Sequence, residues 1–296
     1  MADAPHVDLG LTFGSIEVGM VLAVFLTGIA TLQTWNYYRN YTEDAAGLKY
    51  LVGFVYIADT IHSIMLVDAI YQYTIVSFGN YAALEVLAAS SSGGILVAGF
   101  VAFSVQTFYC IRVYRVTHSR IIASVCWVLA LLREVFSICI FAIVYASGRF
   151  EAFETRTVHW QLIVMQSVGA ASDVLIAGFI CFGILRLRSG ITSSDKLVDK
   201  LVAFSIGSGM LTSIVAIGEM ITFVTMKNFV FITFYSILAK LFANSLLASL
   251  NERNALRREM APWNSMHTRG RPGPHSTRLS FNNKPVRPIL VPHRDK

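Results

Sequence analysis

Seven long apolar stretches, at 14–37, 49–72, 91–111, 121–146, 160–185, 201–226 and 229–250, divide this chain. Each has about twenty residues or more, enough for a helix rising 1.5 Å per residue to cross a hydrocarbon core of about 30 Å. The connections between them differ in charge. Numbered alternately, one side carries Arg39 and Lys49, then Arg112, Arg115 and Arg120, then Arg186, Arg188, Lys196 and Lys200, then a basic tail. The other side carries Arg149, Arg156 and Lys227, and the segment before the first stretch has no Lys or Arg. Basic residues near span ends stay in the cytoplasm. The expected fold is therefore an all-α membrane protein, a seven-transmembrane-helix bundle with its N-terminus outside and its C-terminus cytoplasmic. It has a short extracellular segment at 1–13, a membrane domain at 14–250 and a cytoplasmic tail at 251–296.

Charged residues make up only 14% of the chain and hydrophobic ones 55%, which is too apolar for a soluble domain of this size. The net charge of +6 sits on the cytoplasmic segments. It points to anionic lipid rather than to nucleic acid. Arg253, Arg257 and Arg258 lie at the membrane exit and are the expected contacts to cytoplasmic-leaflet lipid. The tail beyond them holds six of the seven prolines and few apolar residues, so it is expected to be mostly disordered after a short helical extension. A cytoplasmic protein is the other partner expected for it. Segment 1–13 lacks a basic n-region and carries Asp3 and Asp8, so a cleavable signal peptide is not expected. Cys110, Cys126, Cys139 and Cys181 fall within or beside the spans, and no structural disulfide is expected from them.

Ionisable residues inside the spans carry the functional information. A lone charge at the bilayer centre costs at least about 2.5–3.5 kcal/mol, so such groups face the bundle interior and find partners. They are Asp59 and His62 in the second stretch, Arg133 and Glu134 in the fourth, Asp173 in the fifth, Glu219 in the sixth and Lys240 in the seventh. Counted at 1.5 Å per residue from the cytoplasmic ends, Asp59 and Lys240 lie about 15 Å deep, and Arg133, Glu134 and Asp173 about 18 Å. Glu219 lies nearer the outer surface. Thr233, Ser236, Lys240, Asn244 and Asn251 share one helical stripe, as do Ser205, Ser208, Thr212 and Glu219, and His159, Gln166 and Asp173. Together these residues predict an intramembrane polar network. Lys240 is expected to pair with Asp173 or Asp59, because an unpaired ammonium does not persist in lipid. Asp59 and His62 are too few to hold zinc, and neither a metal nor a cofactor is expected. Gly178, Gly183, Gly207 and Gly209 are read as sites of close helix approach.

Several runs carry a family resemblance. The strongest are Asp173-Val174-Leu175-Ile176-Ala177, Gly190 with Ser194-Asp195-Lys196-Leu197-Val198, Gly209-Met210-Leu211-Thr212-Ser213, and the run 234–253. The last contains Lys240, Asn244-Ser245-Leu246-Leu247-Ala248 and Leu250-Asn251-Glu252-Arg253. Weaker ones are Gly28-Ile29, Leu32-Gln33, Lys49 and Asp59-Thr60-Ile61-His62. Through these the chain resembles the seven-span integral membrane proteins of basidiomycete fungi catalogued as a domain of unknown function. The resemblance implies the same fold and marks Asp173, Lys240, Asn244 and Asn251 as family-like positions. It implies no activity.

Four functions compete. A receptor-like or sensory protein fits the topology and the polar interior, although the third stretch ends Cys110-Ile111-Arg112-Val113-Tyr114-Arg115 rather than in an acidic-Arg-aromatic triplet. A proton-coupled transporter or carrier is the alternative, since charges on several helices suit it. A retinal protein ranks lower, because the third stretch holds no carboxylate to act as counter-ion for Lys240. An intramembrane enzyme also ranks lower, since no hydrolase or nucleotide motif is present. The membrane is the plasma membrane or an endomembrane. Asn40-Tyr41-Thr42 is an N-glycosylation sequon that this topology places in the cytoplasm. In a glycosylating host Asn40 is expected to stay unmodified, and a glycosidase-sensitive mass shift lost in Asn40→Gln would invert the topology.

Overall fold

The computed structural model describes residues 10, 14–80, 85–186, 192–226 and 228–268, with the side chains of 192–205, 208 and 254–268 outside that description. The expectations for segment 1–13 apart from Gly10, for Lys227, for the side chains of Ser205, Ser208, Arg257 and Arg258, and for the tail from 269 fall outside the described residues. Helices α1 Ser15–Asn40, α2 Ala46–Tyr71, α3 Ala89–Thr117, α4 Arg120–Ser147, α5 Arg156–Leu185, α6 Thr192–Thr225 and α7 Val230–Thr268 account for most of the chain. A π-helical turn at Gln72–Val76 and a 3-10 turn at Phe150–Glu154 sit at one end of the bundle. The described residues form no strand beyond one isolated bridge between Val86 and Arg149.

The helix boundaries have local causes. Ser119 and Thr155 cap α4 and α5, accepting from the backbone N–H of Ile122 and Val158 at 3.4 Å each. His118 (φ 54°) and Gly148 (φ 63°) take the left-handed conformation that ends α3 and α4. Among the described residues, six helices are long and apolar enough to cross a membrane: α1, α2 with its π turn, α3, α4, α5 and the first part of α7. α6 contributes the apolar stretch Gly209–Thr225.

Burial runs opposite to that of a water-soluble protein. Ile121, Trp35 and Val174 are 78%, 71% and 60% exposed, whereas Lys240 and His62 are fully buried. A surface of large apolar side chains around a charged interior is what hydrocarbon solvent requires. Consecutive helices pack against each other and α1 packs against α7, so the bundle closes as a ring. α3 also meets α5 and α7, and α7 meets α2, so α3 and α7 lean inward.

α1 and α7 run parallel in a fixed register. Thr233 donates to the Ser15 carbonyl at 2.6 Å, Asn244 to Leu26 at 3.0 Å and Asn251 to Gln33 at 2.8 Å, each pair separated by 218 residues. The constant offset over two intervals, of eleven and then seven residues, keeps α7's polar stripe on α1 through a whole number of turns. Gly19 permits this approach, because a Cβ there would meet the Thr233 Cα at 2.9 Å. Gly209 plays the same part against Ala177, and Gly183 against Val116. Gly178 and Gly207, expected to pack likewise, meet no described atom within 4 Å, and Gly207 lines an open groove between α1, α6 and α7.

The two ends differ. At the Tyr41 end an apolar core of Tyr37, Tyr41, Val52, Leu246, Leu247 and Leu250 fills the bundle. A clasp lies over it. Arg253 donates to both carboxylate oxygens of Asp44, at 2.6 and 3.4 Å. Its guanidinium lies 4.6 Å from the Tyr41 ring centroid, and Tyr37 donates to Asp44 at 3.0 Å. At the Phe150 end the turns are held by the Ala88 N–H donating to the Tyr73 hydroxyl at 2.8 Å and the Leu87 N–H to the Gly148 carbonyl at 2.8 Å. Gly19→Val is expected to destabilise the bundle by about 1–3 kcal/mol through overpacking. Gly28→Ala meets open space and is expected to leave the melting temperature unchanged or slightly raised, as a thermal scan of both variants in one detergent will read.

Candidate functional site

Two buried polar centres lie in the middle of the bundle. The first joins α1, α2 and α7. Lys240 Nζ sits 3.1 Å from Asp59 Oδ1 with both side chains fully buried. It also donates to the Asp59 carbonyl at 2.6 Å and to Ser63 Oγ at 2.7 Å. Thr27 from α1 donates to Asp59 Oδ2 at 3.0 Å and lies 2.7 Å from Ser63 Oγ. The ammonium thus donates to two acceptors and stands in ion-pair contact with Asp59 Oδ1, which accepts no hydrogen bond among the described residues. Asp59 and Ser63 are one turn apart on α2, so one helix face supplies carboxylate, carbonyl and hydroxyl together. Asn244, one turn beyond Lys240, donates to the Lys240 carbonyl at 2.9 Å as well as to Leu26.

The second centre joins α3, α4, α5, α6 and α7. Asp173 accepts from Gln106 Nε2 at 2.8 Å and from Thr212 Oγ1 at 2.9 Å. Arg133 lies with its guanidinium 5.0 Å from the Phe242 ring centroid. Arg133, Glu134, Gln166, Glu219 and Tyr235 line one cavity of about 30 Å³. Two glycines make room for them. A Cβ at Gly169 would meet Arg133 Nε at 2.8 Å, and one at Gly99 would meet Ser137 Oγ at 2.5 Å and Glu134 Oε2 at 2.9 Å. Gln166 hydrogen-bonds Glu219. Glu134 Oε1, Glu219 Oε2 and the Tyr235 hydroxyl are buried without a hydrogen-bond partner among the described residues. A buried polar group left unmade costs about 1–3 kcal/mol, and Asn244 Oδ1 in the first centre is likewise without a hydrogen-bond partner among the described residues.

Above it, toward the Phe150 end, Glu219 and Tyr235 also line an apolar chamber of about 70 Å³ walled by Leu66, Ile140, Leu162 and Phe231. Phe150, Phe153 and Phe231 separate that chamber from a surface vestibule of about 510 Å³ bearing Glu85, Glu151, Glu154 and His159. Phe150 stacks on Phe229 at 4.5 Å, and Phe223 meets Phe231 edge-on at 5.1 Å.

The sequence-based candidates thus divide. Lys240 pairs with Asp59 and not with Asp173, because α7 lies against α2 where Asp59 faces inward. His62, on the neighbouring face of α2, packs edge-on against Tyr235 at 5.8 Å, and both its ring nitrogens lack a hydrogen-bond partner among the described residues. Glu219 shares a cavity with Arg133 and Glu134 despite its position nearer the end of α6. Asn251 lies about 16 Å along α7 from Lys240 at 1.5 Å per residue. There it joins Gln33 and Asn36 at the Tyr41 end rather than the central layer. Sequence reasoning restricted to charges missed Gln106, Thr27, Ser63 and Tyr235. A mid-span amide such as Gln106, with no charge of its own, is the signal that would have found the partner of Asp173. Among the described residues no group of three or more His, Cys, Asp or Glu is arranged to hold a metal ion.

Removing one member of a buried ion pair strands the other charge, at a cost of about 3–5 kcal/mol. Asp59→Asn and Lys240→Met are each expected to lower stability in that range, and the double variant to recover most of it. Asp173→Asn is expected to gain nothing from Lys240→Met. A double-mutant cycle on melting midpoints measures both.

Residues 169–255 match the model of a family described as a family of unknown function (DUF6534). The matched segment holds Asp173, Thr212, Glu219, Tyr235, Lys240, Asn244 and Asn251, while Asp59, Gln106, Arg133 and Glu134 lie before it. No curated protein and no solved structure matches the chain. By fold the chain is an apolar, multi-pass helical protein, and its segment 169–255, from the second half of α5 through α6 into α7, is similar to a family of unknown function.

Proposed function

We propose that the chain is a receptor-like or sensory membrane protein with seven spans, its amino terminus outside and its carboxyl end in the cytoplasm. The observation that carries this reading is one-sided access. The second polar centre adjoins the chamber, and the chamber adjoins the vestibule at the Phe150 end. At the Tyr41 end the aromatic and aliphatic core and the Asp44–Arg253 clasp close the bundle. A sensor needs a polar interior open toward the side it reads. A carrier must open to both.

α6 counts as the seventh span because it closes the ring between α5 and α7 and turns Thr212 and Glu219 inward. Arg39, Lys49, Arg115, Arg120 and Arg186 stand at the Tyr41 end, against Arg149 and Arg156 at the other, which supports placing the Tyr41 end in the cytoplasm. Arg253 is held by Asp44, so contact with anionic lipid falls to Arg257 and Arg258, and the tail is the surface for a cytoplasmic partner.

One observation favours the second reading, a proton-coupled carrier. The interior holds four carboxylates, Asp59, Glu134, Asp173 and Glu219, against two cations, Lys240 and Arg133. A surplus of two acids is where a transported proton would ride. A retinal protein gains Asp59 as a counter-charge for Lys240, but the chamber near it is about 70 Å³, about half of what holds a single benzene ring. Proteoliposomes under an imposed pH gradient decide between the two readings. No proton flux above that of protein-free vesicles is expected. Sustained flux abolished by Glu219→Gln would replace the sensory reading with the carrier.

A further inference from the structure

We propose that the chamber beneath the Phe150 end binds a small organic cation, a short alkyl body bearing one protonated amine, with the Glu219 carboxylate as its anchor. This rests on the one-sided access described above and adds the chemistry of what enters.

Three independent features agree. Glu219 is 1% exposed, lines both the chamber and the Arg133 cavity, and leaves Oε2 without a hydrogen-bond partner among the described residues. The Tyr235 hydroxyl beside it is likewise unmade. An ammonium supplies donors to both oxygens, and in a low-dielectric site such charge-assisted bonds are the strong ones. The rest of the chamber is apolar, which suits an alkyl body and offers no partner for a second charge. The entrance bears Glu85, Glu151 and Glu154, with Arg149 paired at 3.7 Å to both Glu85 and Glu151. Glu154 thus adds to a negative mouth that draws cations inward. Arg133 faces the same cavity as Glu219 and disfavours a cation at the cavity's far side. The ammonium is therefore held on the chamber side of Glu219, next to Tyr235.

Size limits the ligand. An engineered apolar cavity of about 150 Å³ accepts the six carbons of benzene, so a chamber of half that volume takes on the order of three non-hydrogen atoms. Ethylammonium meets both conditions. Ethanol has the same body without the charge, and acetate has the opposite charge.

The full-length protein in nanodiscs is titrated with each of the three by calorimetry and by thermal melting. Ethylammonium is expected to bind saturably and raise the melting midpoint, with ethanol and acetate silent at equal concentration. Glu219→Gln is expected to weaken ethylammonium by about tenfold or more, the worth of a charge-assisted hydrogen bond. Leu66→Phe, which fills the chamber and leaves Glu219 in place, is expected to abolish binding and so decides the matter if Glu219→Gln does not fold. Equal binding of ethanol, unaltered binding in either folded variant, or no binding of ethylammonium overturns the site. Hydrogen exchange over 41–49 during the same titration separates the two claims. Binding without any change there keeps the cation site and removes the sensory reading.

Discussion

Hydrocarbon offers a charged group nothing, and that constraint organises this molecule. Lys240 cannot remain on α7 unless α2 brings Asp59 and Ser63 to it and α1 brings Thr27 to hold Asp59. The pair therefore specifies which three helices are neighbours and at what height. Breaking even is enough for such a pair, since its value lies in excluding other arrangements of apolar helices that lipid alone would tolerate equally. The 218-residue register of α1 on α7 repeats that specification at Thr233, Asn244 and Asn251.

The second centre obeys the same constraint less completely. Asp173 is fully answered by uncharged donors, Gln106 and Thr212. Arg133 answers its carboxylate neighbours across a cavity and over a phenylalanine ring rather than by direct contact. One centre is thus tied by a direct ion pair, whereas the other leaves Glu134 Oε1, Glu219 Oε2 and the Tyr235 hydroxyl without a hydrogen-bond partner among the described residues.

Much of this was legible in the sequence for physical reasons. Length and hydropathy reveal helices that must cross a membrane, and seven-residue spacing reveals their polar faces. Asp59, Asp173 and Lys240 were identifiable because charge in such a helix always requires a partner. Which partner was not identifiable, because depth alone placed Asp59 and Asp173 within about two residues of Lys240 in height. Only the order of helices around the ring separates them. Gln106 and Tyr235 escaped notice because neutral polar residues are common in spans and stand out only once their neighbours are known. The glycines divided likewise: Gly209 and Gly207 are two residues apart, so only one of them can face α5.

α7 does not stop where the apolar residues do. It continues from Val230 to Thr268 as one helix of 39 residues, with Pro262 as its first built-in break after Lys240. From Lys240 to the residue before that proline the helix rises about 31 Å. A rod of that length, pivoting at its buried ammonium, multiplies motion: a tilt of about 5° moves its far tip by about 3 Å. Motions too small to open the bundle thus become larger displacements beyond its Tyr41 end.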